Sequence, residues 1–221
     1  MKRFILFILL MLPMVVFGQK DVTTFLGIPV DGSKSSFIQK LKTKGFINST
    51  KSDMQGVFNG KDVYLNIQTN KSLVCRVIVS LKNETRSESD IRIQFNRLLN
   101  QFQENQKYVG LPTNKEIVEE DDISYEILVK NKRFDAYFYQ KPDKINEEDA
   151  IKLEKLQNSY NEAIMSGDFS NIKELTHEAI NMFMKVFQNK SVWFMITENY
   201  GKYSLAIFYE NGYNMPHGEE L

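Results

Sequence analysis

Residues 57–81 read Val57-Phe58-Asn59-Gly60-Lys61-Asp62-Val63-Tyr64-Leu65-Asn66-Ile67-Gln68-Thr69-Asn70-Lys71-Ser72-Leu73-Val74-Cys75-Arg76-Val77-Ile78-Val79-Ser80-Leu81. Asn59-Gly60 stands between Val57-Phe58 and the alternating run Val63 to Gln68. Both turn residues of a type I′ hairpin must adopt φ > 0, which Asn and Gly tolerate, so the spacing predicts that hairpin here. Asn70-Lys71-Ser72 then turns the chain into the apolar run Leu73 to Leu81. The outcome is a three-stranded antiparallel meander.

The flanks of this stretch read as helices. Before the meander, Ser33 is a helix N-cap, Phe37, Ile38 and Leu41 form one apolar face, and Gly45 is a natural stop. After it, Ser87 with Asp90 opens a second helix, in which Ile91, Phe95, Leu98, Leu99 and Phe102 follow a helical stripe. Gly110-Leu111-Pro112 closes that region. Two further strands are predicted, one from the alternation of Ile123, Tyr125, Ile127 and Val129, the other from Phe134, Ala136 and Phe138. A helix follows from Pro142-Asp143 to about Met165, with Ile151, Leu153, Leu156, Tyr160, Ala163 and Ile164 as core candidates. Ser166-Gly167-Asp168 breaks it. A second helix from Ser170 carries Ile172, Leu175, Ala179, Phe183 and Val186. A last hairpin joins Val192-Phe194-Ile196 to Tyr203-Leu205-Ile207 through Asn199-Tyr200-Gly201. Helix-then-strands order therefore occurs in units 33–81, 87–140 and 145–210. The expected class is α+β: an antiparallel sheet of about seven strands with helices packed on one face, in one globular region over 19–221.

The N-terminus is expected to lie outside that fold. Lys2 and Arg3 precede a 14-residue apolar run, Phe4 to Phe17, and Gly18 precedes polar Gln19-Lys20-Asp21. This is a secretory signal pattern over 1–18. A retained anchor is the competing reading, but the run falls short of the roughly 20 residues that span a bilayer. Removal of the leader leaves 203 residues and a net charge of about −2. The expected location is secreted or periplasmic, with no stable membrane insertion after cleavage.

Composition narrows the chemistry. The whole chain has formal charge zero, one Cys and two His, which removes Cys-rich zinc modules, disulfide frameworks and strongly basic nucleic-acid binders. Cys75, inside an apolar run, reads as a buried and inert thiol. Residues 116–126 hold six carboxylates and no basic side chain. They lack the alternating spacing that wraps a calcium ion, and read as a solvated loop or charged strand edge. Residues 33–62 carry the opposite bias, six Lys against two Asp. Glu174 and His177 share a helical face, as carboxylate-bridged metal sites require, but no second Glu-x-x-His occurs. His217 lies in the tail. Neither a Gly-x-Ser-x-Gly elbow nor a glycine-rich phosphate loop is present, so no cofactor, metal site or catalytic residue is assigned.

The positive signal is aromatic. If the apolar partners face the helices, alternation turns Tyr64, Tyr137, Tyr139 and Trp193 to the other sheet face. Such side chains combine contact area with a polar handle and suit a protein or glycan partner. Cross-strand aromatic pairing, or burial under a second layer, is the open alternative.

The opening turn Gly27-Ile28-Pro29-Val30-Asp31-Gly32-Ser33-Lys34, its helix and the meander resemble a group of uncharacterised exported proteins of Gram-negative bacteria. The helix-then-strands order is also similar to β-lactamase-inhibitor-protein-like and outer-membrane-assembly-lipoprotein (SmpA/OmlA) modules. The likeness covers about residues 23–81 and implies a protein-contact module that uses its sheet. It carries over no binding residue, and no Cys follows the leader to hold a lipid. The expectation is an exported, non-catalytic binding protein; the alternative is an envelope or extracellular hydrolase or metal-dependent enzyme.

Overall fold

A computed structural model describes residues 21–142, 147–168 and 170–216. The expected leader 1–18 and His217 lie outside these, as do the side chains of Tyr160 and Ile164. The chain enters through two short paired strands, β1 (Thr24–Phe25) and β2 (Ile28–Pro29). Helix α1 (Lys34–Thr43) starts at Ser33, whose hydroxyl accepts from the Ser36 N–H. It closes as a Schellman motif. Gly45, at φ 89°, donates to the Lys42 carbonyl, and Phe46 donates to the Leu41 carbonyl. These bonds satisfy carbonyls that the helix end would leave bare.

Strands β4 (Met54–Phe58), β5 (Lys61–Asn70) and β6 (Leu73–Leu81) form the expected three-stranded meander, and the short strand β3 (Ile47–Asn48), which the sequence pattern did not include, adds a fourth strand beside β4. Asn59 and Gly60 adopt φ 49° and 70°, as the type I′ turn requires. Lys71 and Ser72 adopt 47° and 66° at the next turn without glycine. The β5–β6 register shifts at Gln68/Thr69, so that Arg76 faces Gln68 and Val74 faces Thr69. Cys75 is thus the extra residue of a β-bulge. It is buried, and burial pushes its thiol pKa up against the opposing pull of Arg76.

Helix α2 (Glu88–Glu104) is capped by Ser87, and its five stripe residues Ile91, Phe95, Leu98, Leu99 and Phe102 are all buried. Each contributes on the order of 2 kcal/mol of apolar transfer. Next come β7 (Tyr108–Gly110), α3 (Ile123–Leu128), β8 (Asp135–Gln140), α4 (Glu147–Ser166), α5 (Ile172–Phe187), β9 (Ser191–Asn199) and β10 (Lys202–Glu210). The main sheet has eight strands in the order β3-β4-β5-β6-β10-β9-β8-β7, every neighbouring pair antiparallel. Helix α2 carries the chain to the far edge, and the β9–β10 hairpin returns to fill the middle. On one face α1 and α2 cover Val63, Leu65, Val77, Val79, Phe138, Phe194 and Leu205. Phe194 packs against Phe95 and Phe102 at ring-centroid distances of 5.0 and 5.6 Å.

Two expectations need correction. Ile123 to Val129 is not a strand: Ile123–Leu128 is a helical turn capped by Asp122, whose carboxylate accepts the Tyr125 N–H at 2.8 Å. Glu88 adds a second cap by accepting the N–H groups of Ile123 and Ser124. These bonds favour the helix over an alternation that buries only Ile123. The helical pair α4–α5 also buries less than its stripes suggest. Ile151 is exposed, Leu153 and Leu156 are half-buried, and no apolar residue of α5 is fully buried. The pair packs on itself and meets the sheet through the end of α5, where Phe183 and Phe187 contact Tyr139.

Candidate binding face

Alternation turns the remaining side chains to the sheet face opposite α1 and α2, where the register arranges them in rows across the strands. The central row is Tyr137, Trp193, Phe208, Ile78 and Asn66, from β8 through β9, β10 and β6 to β5. A second row places Asp135, Met195, Ala206, Ser80, Tyr64 and Gln55 side by side.

Trp193 and Phe208 stack with centroids 3.9 Å apart and planes at 8°, and Tyr137 and Trp193 at 5.5 Å and 19°. Adjacent strands lie about 4.8 Å apart, so these rings stand up from the sheet and stack along the row. Their faces are turned toward one another, and their edges point outward. The Arg133 guanidinium lies 5.2 Å from the Trp193 ring centroid, and Arg76 lies 5.8 Å from that of Phe208. Both arginines are held by carboxylates, Arg133 by Asp135 at 3.4 Å and Arg76 by Glu210 at 2.6 Å.

Tyr137 is fixed from behind. Strand β7 ends at Gly110, beyond which Asn114 takes its place: the carboxamide accepts the Tyr137 N–H at 2.8 Å and donates to the Tyr137 carbonyl at 2.7 Å. Burial, with the Asp135 charge beside it, raises the Tyr137 phenol pKa above its usual value.

The four aromatic candidates therefore do not form one patch. Tyr137 and Trp193 are brought together. Tyr139 lies under α5, with Phe183 perpendicular to it at 5.0 Å, and burial followed by the Glu210 charge raises its pKa. Tyr64 sits in the next row, four strands from β8, beneath the Lys82 ammonium at 4.6 Å. Sequence reasoning missed Phe208 by ending the last strand at Ile207, although its alternation with Leu205 and Ile207 is the same signal that turned Trp193 outward.

The other candidate groups have local duties. Among residues 116–126, Glu116 accepts from Asn100, Asp122 caps α3, and Glu126 pairs with Lys130 and Lys132. No group of three or more His, Cys, Asp or Glu able to hold a metal ion occurs among the described residues. His177 is exposed on α5. Glu88, Ser124 and Tyr203 form a linked cluster in which the Ser124 hydroxyl donates to Glu88 and lies 2.7 Å from the Tyr203 hydroxyl. Burial opposes ionisation of Glu88, but the bonds from Ser124 and from two backbone N–H groups outweigh it and lower the pKa.

No protein-family model matches the chain, and neither a curated protein nor a solved structure matches it.

Proposed function

We propose that this protein is an exported, non-catalytic binding protein that contacts a partner protein through the sheet face centred on Trp193. One observation carries the reading: the Tyr137–Trp193–Phe208 stack is half-buried on the sheet face opposite α1 and α2, which α5 meets beside it at Tyr139. Clustered aromatics flanked by arginines are the residue types that dominate protein interfaces. A protein partner is favoured over a glycan because sugars dock on exposed ring faces, and the central ring, Trp193, has its two faces turned to Tyr137 and Phe208. Export is supported by the basic, apolar and polar order of residues 1–21. Among the described residues, no helix is long and apolar enough to cross a membrane.

The test is capture from an envelope extract on immobilised wild type, Trp193→Ala and Tyr137→Ala, each first checked for folding by circular dichroism. The expected result is a discrete protein retained by wild type and lost with both variants. Equal recovery on all three would remove the sheet face as the contact. A partner competed away by soluble oligosaccharide would move the reading to glycan.

A further inference from the structure

On the helix-covered side of the sheet, a cleft of about 760 Å³ opens between the Leu26-Gly27 turn, the Asn59 turn and the C-terminal half of α2. This lies within the roughly 300–1,000 Å³ typical of ligand clefts. Buried Leu98, Phe102 and Tyr209 form part of its lining. Among the described residues its charged lining groups are Glu104 and Lys107, one of each sign, which favours a neutral occupant.

Three features point to an extended peptide. First, the lining holds the carboxamides Asn59, Gln101 and Gln140; Asn59 Nδ2 donates to Gln101 Oε1 at 2.8 Å, so this pair meets a ligand through its other ends, Asn59 Oδ1 and Gln101 Nε2. In this fold carboxamides pair with extended backbone repeatedly. Gln140 binds both the N–H and the carbonyl of Thr24 at the cleft wall, as Asn114 does for Tyr137 and Asn96 for Ile117. Second, β4 has an open backbone position. Phe58 and Lys61 flank the two-residue turn as a hydrogen-bonded pair, so Val57 turns its N–H and carbonyl away from β5. Strand β3 pairs only with Met54 and Gln55, and Val57 is 63% exposed. Third, Leu26 on the rim is held at φ 52° with its side chain exposed. A leucine in that region is strained, and such strain concentrates at contact sites.

We propose that this cleft binds a short, uncharged, extended peptide segment, laid along Val57 with one apolar side chain over Phe102. The site is separate from the Trp193 face and stands or falls independently of it. The test is a ¹⁵N-amide titration of the protein with a pool of capped neutral hexapeptides of alanine, leucine, phenylalanine, serine and threonine, alongside maltotriose. Expected are shifts at Val57, Asn59, Gln101 and Lys107, with affinity falling about fivefold or more in both Leu26→Gly and Gln101→Ala. Leu26→Gly suits the turn and keeps the fold, and Trp193→Ala leaves the shifts unchanged. The proposal is overturned if peptides at about 10 mM shift none of these amides. Equal affinity in Leu26→Gly and Gln101→Ala, or shifts with maltotriose alone, would overturn it too.

Discussion

Trp193 lies parallel on Phe208, ring centroids 3.9 Å apart and planes within 8°. The pair joins β9 to β10 on the face away from the core, so the interface candidate is also part of the fold's stability.

Replacing Trp193 with Ala should therefore cost about 2 kcal/mol, as a half-buried stacked ring, and Trp193→Phe under about 1 kcal/mol. Urea unfolding measures both. Trp193 is the chain's single tryptophan, so its emission reports on this face directly. Intermediate emission that iodide quenches is expected; strongly blue-shifted, unquenched emission would mean the face is covered.

Asn114 replaces a missing strand residue beside Tyr137. Asn114→Ala removes both bonds and leaves Tyr137's backbone half-paired, since only Leu111 still donates to its carbonyl. The expected loss is about 2 kcal/mol. Hydrogen exchange should show faster exchange of the Tyr137 amide, with β5 and β6 amides unchanged at the level of local opening.

Glu88 ties α2 to α3, and its folded-state pKa is lowered despite burial. A lowered carboxylate pKa gives stability that is present above the unfolded value, about 4.3, and is lost as pH falls through the folded value. Glu88→Gln should unfold more readily at pH 7 and show a shallower loss between neutral pH and acid than wild type. Parallel urea midpoints across that range would contradict this coupling.

Tyr139 is where α5 meets the sheet, with Phe183 and Phe187 against it. Tyr139→Ala should loosen the α4–α5 pair while leaving the main sheet intact. Limited proteolysis is expected to cut within 147–187 about tenfold faster, with the sheet fragments resistant. Uniform cleavage across the chain would place Tyr139 in the global core instead.

Much of this architecture was legible because local demands and global packing agree. Asn59-Gly60 admits few conformations besides a tight hairpin turn, and the α2 stripe from Ile91 to Phe102 matches a single buried face. The segment Ile123–Leu128 reads as a strand because its alternation masks the local Asp122 cap, and the second cap, Glu88, lies 35 residues before Ile123. The α4–α5 stripes bury less than their spacing suggests, because periodicity shows that a face is apolar but not what covers it. At the site, alternation turned Tyr137 and Trp193 to one face. Their stacking, and the separation of Tyr64 and Tyr139 from them, follow from strand order, which local sequence does not encode.

A partner protein docked on the Trp193 face, as proposed, would lie within crosslinking reach of position 195. The most direct measurement is photo-crosslinking in envelope extract from a benzophenone side chain at Met195, beside Asp135 and Ala206 on that face, with a control at Tyr200, which is 94% exposed on the β9–β10 turn. The expected result is one adduct of discrete mass from position 195, absent from position 200 and lost when Trp193 is also changed to Ala. The same adduct from both positions, or one indifferent to Trp193, would mean that no partner is bound at this face.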